Sequence, residues 1–500
     1  MSQLFRTKSI DRLIAHAEEP EHRLKKTLGP WSMVAMGVGA IIGTGIFILS
    51  GTAAAGETLQ YESIWKAPVL DLLLHGGDAV SMRGRPGAGP GIALSFLLTA
   101  VACAFAALCY AELASMIPVA GSAYTYSYAT LGEIFAWIIG WDLVLEYAVS
   151  NVAVAVGFSG YLNSVLQGFG IHLPPELSTP VWEHGAFTGA WFNLPAFLVV
   201  FLLSTLLVIG IRESAGTNNV MVLVKVGAIV VFIIAGSRFV NAENWQPVMP
   251  NGFQGVLTGA AIVFFTYIGF DSVSTAAEEA RNPARDVPFG IIGSLVVTTI
   301  LYVTVALVLT GMQPWHSLGN NAPVANALRE VGANIWVQRA IVIGALMGMI
   351  SSMLVFQFGQ SRIWFAMSRD RLFPAVFSRV HPRYRTPYIS TWIAAAIVGV
   401  PAGFWGIAET ADLANIGTLF AFVLVSAGVI VLRRTQPGRP RAFRAPFGAV
   451  VPVLSIASCG VLMLSLPLET WARFFVWLAI GLAIYFLYSK NRSELRARGS

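Results

Sequence analysis

Apolar stretches close to the roughly twenty residues a bilayer-crossing helix needs recur along the whole chain. They are clearest at 194–208, 220–235, 291–309 and 421–432, and polar or basic connections separate them. Together with the Gly and Pro breakers, the pattern predicts twelve apolar helices. Segments one to twelve fall at about 32–54, 91–115, 131–160, 194–212, 217–238, 255–279, 288–311, 336–364, 387–404, 411–432, 448–466 and 471–488. A tail at 1–31 precedes the twelve-helix domain of 32–488, and a second tail at 489–500 follows it. The connection at 56–90 is unusually polar, with Glu57, Glu62, Asp71, Asp78, Arg83 and Arg85, and closes on the breaker-rich Pro86-Gly87-Ala88-Gly89-Pro90. It predicts a surface insertion on the periplasmic side, with one short amphipathic helix over 63–74.

Composition fixes the solvent. With 56% hydrophobic and 12% charged residues, a soluble chain of this size could not cover its surface with polar groups. The fold class is an all-α membrane protein. Residues 1–28 are polar and basic without a signal-peptide pattern, so the first helix is expected to be retained. With an even number of helices and the N-terminus inside, 24 of the 32 Lys and Arg residues fall on one side. Positively charged flanks stay cytoplasmic, which predicts both termini inside a bacterial inner membrane. The net charge of +6 is then a topology signal, and no basic run interleaved with aromatics points to nucleic acid. Cys103, Cys109 and Cys459 sit in apolar segments as small buried residues. Seven scattered histidines lack metal-ligand spacing, and no Gly-rich loop ends in Lys-Ser or Lys-Thr. Enzyme, ATP-driven pump, cofactor and metal readings fall away.

Two segments carry glycine and polar residues near mid-bilayer. Segment one has Gly37, Gly39 and Gly43-Thr44-Gly45-Ile46-Phe47; segment six has Phe264-Phe265-Thr266-Tyr267-Ile268-Gly269-Phe270-Asp271. Freed backbone groups inside a membrane survive only beside a cavity or another helix. First and sixth are corresponding positions in an inverted five-plus-five repeat with discontinuous helices. Free N–H groups of Thr44, Gly45 and Ile46 suit a carboxylate. Carbonyls over 265–268 suit an ammonium group. A zwitterionic amino acid offers both charges, its side chain directed at Phe265, Ile268 and segments three and eight.

Ionisable residues at membrane depth are expensive and usually functional. Lys225 stands alone in segment five, either exchanging a proton beside the first break, where a sodium ion would otherwise sit, or snorkelling to the interface or locking the fold. Glu146, four residues from Asp142 on one face of segment three, is expected to meet substrate or the proton path. Asp142 reads as structural and nearer an interface, because Trp137 and Trp141 flank it. Glu112, Asp271, Glu278 and Glu279 predict salt bridges to Arg281, Arg285 or the basic stretch after segment eight. For Ser351 and Ser352, bonding to their own helix is the commoner fate.

The motifs resemble the amino acid, polyamine and organocation superfamily, and within it the bacterial cationic amino-acid transporter family. They are Leu24-Lys25-Lys26-Thr27-Leu28-Gly29-Pro30, Gly43 to Phe47, Cys109-Tyr110-Ala111-Glu112-Leu113, Pro118 to Tyr124, Gly140 to Tyr147, Phe264 to Asp271, Glu278 to Pro283, Phe365 to Asp370 and Phe443 to Pro446. Only 56–90 departs from the resemblance. It implies a LeuT-like fold with broken helices one and six. It also implies substrate contacts at Ile42, Thr44, Gly45, Ile46, Phe265, Thr266, Ile268 and Glu146, with Met353 limiting pocket size. Thr266 stands where a small apolar residue is common. Lys225 and Glu146 match the family's proton-coupling positions. The implied activity is proton-coupled uptake of neutral, alanine-like, or cationic L-amino acids, and the implied partners are substrate, proton and lipid. An amino acid or polyamine exchanger without proton coupling, and a non-transporting amino-acid receptor, are the alternatives.

Overall fold

A computed structural model describes residues 3–17, 26–58, 63–76, 84–183, 186–209, 211–320, 322–384 and 386–494. Leu24 and Lys25 of the N-terminal motif, and Glu62, Asp78 and Arg83 of the polar insertion, lie outside the described residues. All twelve predicted segments are helical. Among the described residues, eight helices are long and apolar enough to cross a membrane: Gly89–Met116, Glu133–Gln167, Gly216–Phe239, Gly252–Glu279, Pro283–Met312, Ile335–Arg369, Thr410–Thr435 and Leu468–Arg492. Pro30–Ile41 and Gly45–Ala55, bent by 44° at the break between them, make a ninth span when taken together. Three shorter apolar helices complete the series, Leu194–Ile209, Tyr388–Phe404 and Val450–Leu464.

The departures from expectation have physical causes. Segment three runs on to Gly168 because nothing breaks it before Gly168-Phe169-Gly170. Among the described residues, helices that escaped the hydropathy pattern include Ser122–Thr130, Pro323–Glu330 and, in the N-terminal tail, Ile10–Ala17. The first is built of Ser, Thr, Tyr and Ala with little helix preference, yet all nine of its residues are buried, so tertiary packing imposes the helix. The insertion contains the helix Val69–His75 and a short antiparallel hairpin that pairs Gly56–Thr58 with Gly84–Pro86. A second small hairpin pairs Trp182–Glu183 with Ala186–Phe187, so the protein is not strictly all-α.

Packing follows a pattern. Segment two packs on seven, three on eight and four on nine; one packs on seven while six packs on two, and five on eight while ten packs on three. Segments eleven and twelve sit against segments two, three and ten from outside. Burial agrees: the apolar stretch of Gly252–Glu279 is 94% enclosed, that of Leu468–Arg492 only 22%. Trp141 stacks on Trp477 of segment twelve with ring centres 4.4 Å apart, and Trp137 stacks on Trp141. These indoles are therefore interhelical packing and not an interfacial belt, and Asp142 beside them is wholly buried.

The face that carries both termini is tied by ion pairs. Lys8 reaches Asp370 at 2.6 Å and Glu494 at 2.9 Å, and Tyr124 Oη donates to Asp370 at 2.7 Å. Glu278 meets Arg369 at 3.6 Å and Glu279 meets Arg362 at 3.8 Å, as the sequence leads one to expect of the basic end of segment eight. Glu112 instead pairs with Arg433 and Arg441 beyond segment ten. Asp271 forms no such bridge; it lies inside and accepts from Tyr147 Oη at 3.0 Å. Sequence distance hid both pairings.

Candidate functional site

The first half of segment one ends at Ile41, and Ile42 leaves helical geometry with φ −80° and ψ 90°. The chain resumes in a wide turn over Gly45–Leu49, in which the Ser50 N–H reaches back to the Gly45 carbonyl, and continues as Ser50–Ala55. Segment six runs helically over Gly252–Val263 and adds one tight turn, Phe264–Tyr267. It then breaks at Ile268 (ψ 134°) and Gly269 (φ 120°) before continuing as Phe270–Glu279. Gly269 needs its lack of a Cβ twice over. Its φ lies in the left-handed range that strains other residues, and a Cβ would stand 2.7 Å from Ala40 Cβ.

Other glycines let the pieces touch. A Cβ on Gly45 would lie 2.8 Å from Thr266 Cα, and one on Gly43 would lie 2.8 Å from Ser352 Oγ. The two breaks thus pack on one another, with segment eight behind the first.

A broken helix leaves carbonyls at its C-terminal end and N–H groups at its N-terminal end without intrahelical partners. At the end of the first half-helix the Lys225 ammonium donates to Gly39 O and Ile42 O, both at 2.8 Å, and stands 3.4 Å from Ser351 Oγ. Lys225 is fully buried, which rules out the snorkelling reading. Ser352 Oγ donates to Ala40 O at 2.8 Å, and Ser351 Oγ donates to Asn218 Oδ1 at 2.7 Å. Both serines therefore serve other helices rather than their own, Ser352 a carbonyl next to the break and Ser351 the Asn218 side chain of segment five. Tyr302 of segment seven spans the two breaks, its hydroxyl 2.9 Å from Ile41 O and 3.1 Å from Thr266 O.

Of the residues singled out in the sequence, those of segments one and six gather here with Lys225. Ile42, Thr44, Gly45 and Ile46 form the first break and the turn after it; Phe265, Thr266 and Ile268 form the approach to the second, all buried. Met353, also buried, follows Ser352 on segment eight. Two of the carbonyls assigned to an ammonium group have internal donors: Phe265 O accepts from Ile268 N–H at 3.3 Å, and Thr266 O faces Tyr302. The Thr266 hydroxyl, the departure from the family pattern, turns back to Val263 O at 2.7 Å. Glu146 is buried on segment three, and neither carboxyl oxygen has a hydrogen-bond partner at normal distance. The Thr44 hydroxyl is buried in the same condition.

Sequence reasoning missed Tyr302 and Asn218. The signal available for Tyr302 was a single hydroxyl in an apolar thirty-residue helix, Pro283–Met312. Asn218 lay too near the polar start of segment five to stand out.

Over residues 28–486 the chain matches the family described as amino acid permease. It is 49% identical over 494 residues to the branched-chain amino acid permease BcaP of Bacillus subtilis (strain 168), a match covering 98% of this chain and 99% of that one. It is 43% identical over 495 residues to the methylthioribose transporter of the same organism, covering 99% and 100%. The cationic amino acid transporter 4, vacuolar, of Arabidopsis thaliana is 35% identical over 443 residues, 87% of this chain and 68% of that one.

Proposed function

The chain belongs to the amino acid permease family, and from that premise we propose proton-coupled uptake of neutral aliphatic L-amino acids by alternating access across a bacterial inner membrane. It is a transporter and not an enzyme. In this reading the three shorter apolar helices also cross the bilayer, giving twelve spans with both termini cytoplasmic. Helices of 16, 17 and 15 residues reach about 22–26 Å, and local thinning of a bilayer core about 30 Å thick accommodates the difference. The packing supports an inverted repeat of segments one to five on six to ten: adding five to one member of a contact and subtracting five from the other turns one–seven into six–two and five–eight into ten–three.

The observation that carries the proposal is the pair of breaks packed together through Gly45 and Thr266, with Lys225 on the carbonyl end of the first. The substrate carboxylate would meet the N–H groups of Thr44, Gly45 and Ile46, whose helix-end dipole favours an anion. Its ammonium group would approach the carbonyls at 265–268, with Ile42 beside it. The aliphatic side chain would lie toward Phe265, Ile268 and Met353. The names of the Bacillus relative and of a second BcaP, from Lactococcus lactis subsp. cremoris (strain MG1363) and 34% identical over 474 residues, favour a branched side chain. Protonated Lys225 fills the place of a bound cation, and loss of its proton takes the charge from the two hydrogen bonds that hold the first half-helix end and so weakens them. Coupling of proton and substrate follows from that shared element.

A second reading, uptake of cationic amino acids, is favoured by the buried Glu146 carboxyl, whose oxygens have no hydrogen-bond partner at normal distance among the described residues. Uptake of labelled L-leucine into proteoliposomes, with and without an imposed pH gradient, tests the proposal. Competition by L-leucine, L-alanine, L-lysine and methylthioribose ranks the substrates. Uptake unchanged on dissipating the gradient refutes proton coupling, and a lack of saturable counterflow refutes transport.

A further inference from the structure

The buried lysine has a hydrogen-bond neighbour whose orientation is set from elsewhere. An ammonium group offers three N–H donors and no acceptor, whereas a neutral amine needs a donor of its own. Gly39 O and Ile42 O only accept. Ser351 Oγ, at 3.4 Å, can either accept from the ammonium or donate to the amine, depending on where its single proton points. That proton has a nearer acceptor, Asn218 Oδ1 at 2.7 Å; Gly39 O is 3.4 Å away.

Asn218 precedes Lys225 by two helical turns on the same face of segment five and is itself buried. Its amide also lies against Gly39, where an added Cβ would stand 2.9 Å from Nδ2. Among the described residues no titratable side chain acts on Lys225 from segments one, four, five, seven or eight, the elements packed around it, so the carbonyls and this hydroxyl make up its polar surroundings.

Building on the coupling role proposed for Lys225, we infer that Asn218 is a positioning residue for the coupling proton. By holding the Ser351 hydroxyl proton, it keeps an oxygen lone pair aimed at the Lys225 ammonium and withholds the donor that the neutral amine would use. The protonated state is thereby favoured by a residue that acts through the Ser351 hydroxyl.

The test is the external-pH profile of L-leucine uptake in proteoliposomes at fixed membrane potential. Asn218→Leu is expected to move the half-maximal pH about one unit toward acid, a tenfold change in proton concentration comparable to one hydrogen bond to a charged group. Asn218→Asp keeps the acceptor and is expected to hold the midpoint at or above that of the parent. Ser351→Ala is expected to move the midpoint in the same direction as Asn218→Leu, and in that background Asn218→Leu adds nothing. An Asn218→Leu profile that falls in rate with an unmoved midpoint overturns the inference, and so does a full additional shift in the Ser351→Ala background. Lys225→Met in the same vesicles separates the two levels. If pH dependence persists without the lysine, the coupling reading fails; if it vanishes while Asn218→Leu leaves the midpoint in place, only the role of Asn218 fails. Should Asn218→Leu not give a monodisperse gel-filtration peak, Asn218→Ala is measured in its place with the same two outcomes.

Discussion

Replacing Tyr302 with Phe removes one hydroxyl from the point where the two broken segments meet and leaves almost everything else in place. The ring keeps its neighbours Phe96 and Tyr267, with ring centres 5.5 and 5.4 Å away. What is lost is the donor 2.9 Å from Ile41 O and 3.1 Å from Thr266 O. A net hydrogen bond of this kind contributes about 1 kcal/mol, and leaving a buried carbonyl without a partner raises the cost to about 1–3 kcal/mol. If that energy holds the breaks together around substrate, the substrate concentration for half-maximal uptake rises about 5- to 150-fold. Initial rates of L-leucine uptake against concentration read this directly. Thermal unfolding of the detergent-solubilised protein shows whether the bond also supports the fold as a whole. Unchanged half-saturation and an unchanged thermal midpoint together refute the reasoning, because the hydroxyl would then join nothing that matters to either.

Three further perturbations probe the same architecture. Gly269→Ala places a Cβ 2.7 Å from Ala40 Cβ on backbone at φ 120°, with strain of about 1–3 kcal/mol before the clash is counted; uptake is expected to collapse, and normal uptake by a folded variant contradicts the assigned geometry. Arg85→Gln takes the guanidinium from between Glu57, at 2.7 Å, and Asp412, held by two bonds at 3.1 and 2.8 Å. Leaving the half-buried Asp412 carboxylate without its guanidinium costs about 1–3 kcal/mol, so the thermal midpoint falls and Asp412→Asn added to Arg85→Gln restores part of the loss; a purely additive fall contradicts the pairing. Burial alone would weaken the hold of Lys8 on its proton, but the Asp370 and Glu494 carboxylates outweigh it and raise its pKa above that of an ordinary lysine. A raised value means that the stabilisation is complete below the unfolded lysine pKa of about 10.4 and is lost only above it. Lys8→Met therefore lowers the thermal midpoint by the same amount at neutral pH and at about pH 9; a gap that closes between these values counts against the pairing.

Much of this protein is written locally. Apolar runs close to the span of a bilayer core demand helices that satisfy their own backbone, so the segments and the membrane class follow from composition and periodicity. Glycine clusters at matched depths in segments one and six mark the breaks, because a residue without a Cβ permits both the φ of Gly269 and the contact of Gly45 with Thr266. A lone Lys225 in an apolar helix announces itself for the same reason of cost. What no local pattern contains is the partner of each polar group. Arg433 and Arg441 meet Glu112 from more than three hundred residues away, Tyr302 ties two carbonyls that belong to different segments, and Ser351 turns to Asn218 instead of its own helix. The nine-residue helix Ser122–Thr130 likewise forms only because its surroundings bury it. Hydrophobic periodicity reports the transfer of each stretch from water to lipid. The choice of hydrogen-bond partner depends on which helix ends the packing brings together, and that is settled only once all the segments have met.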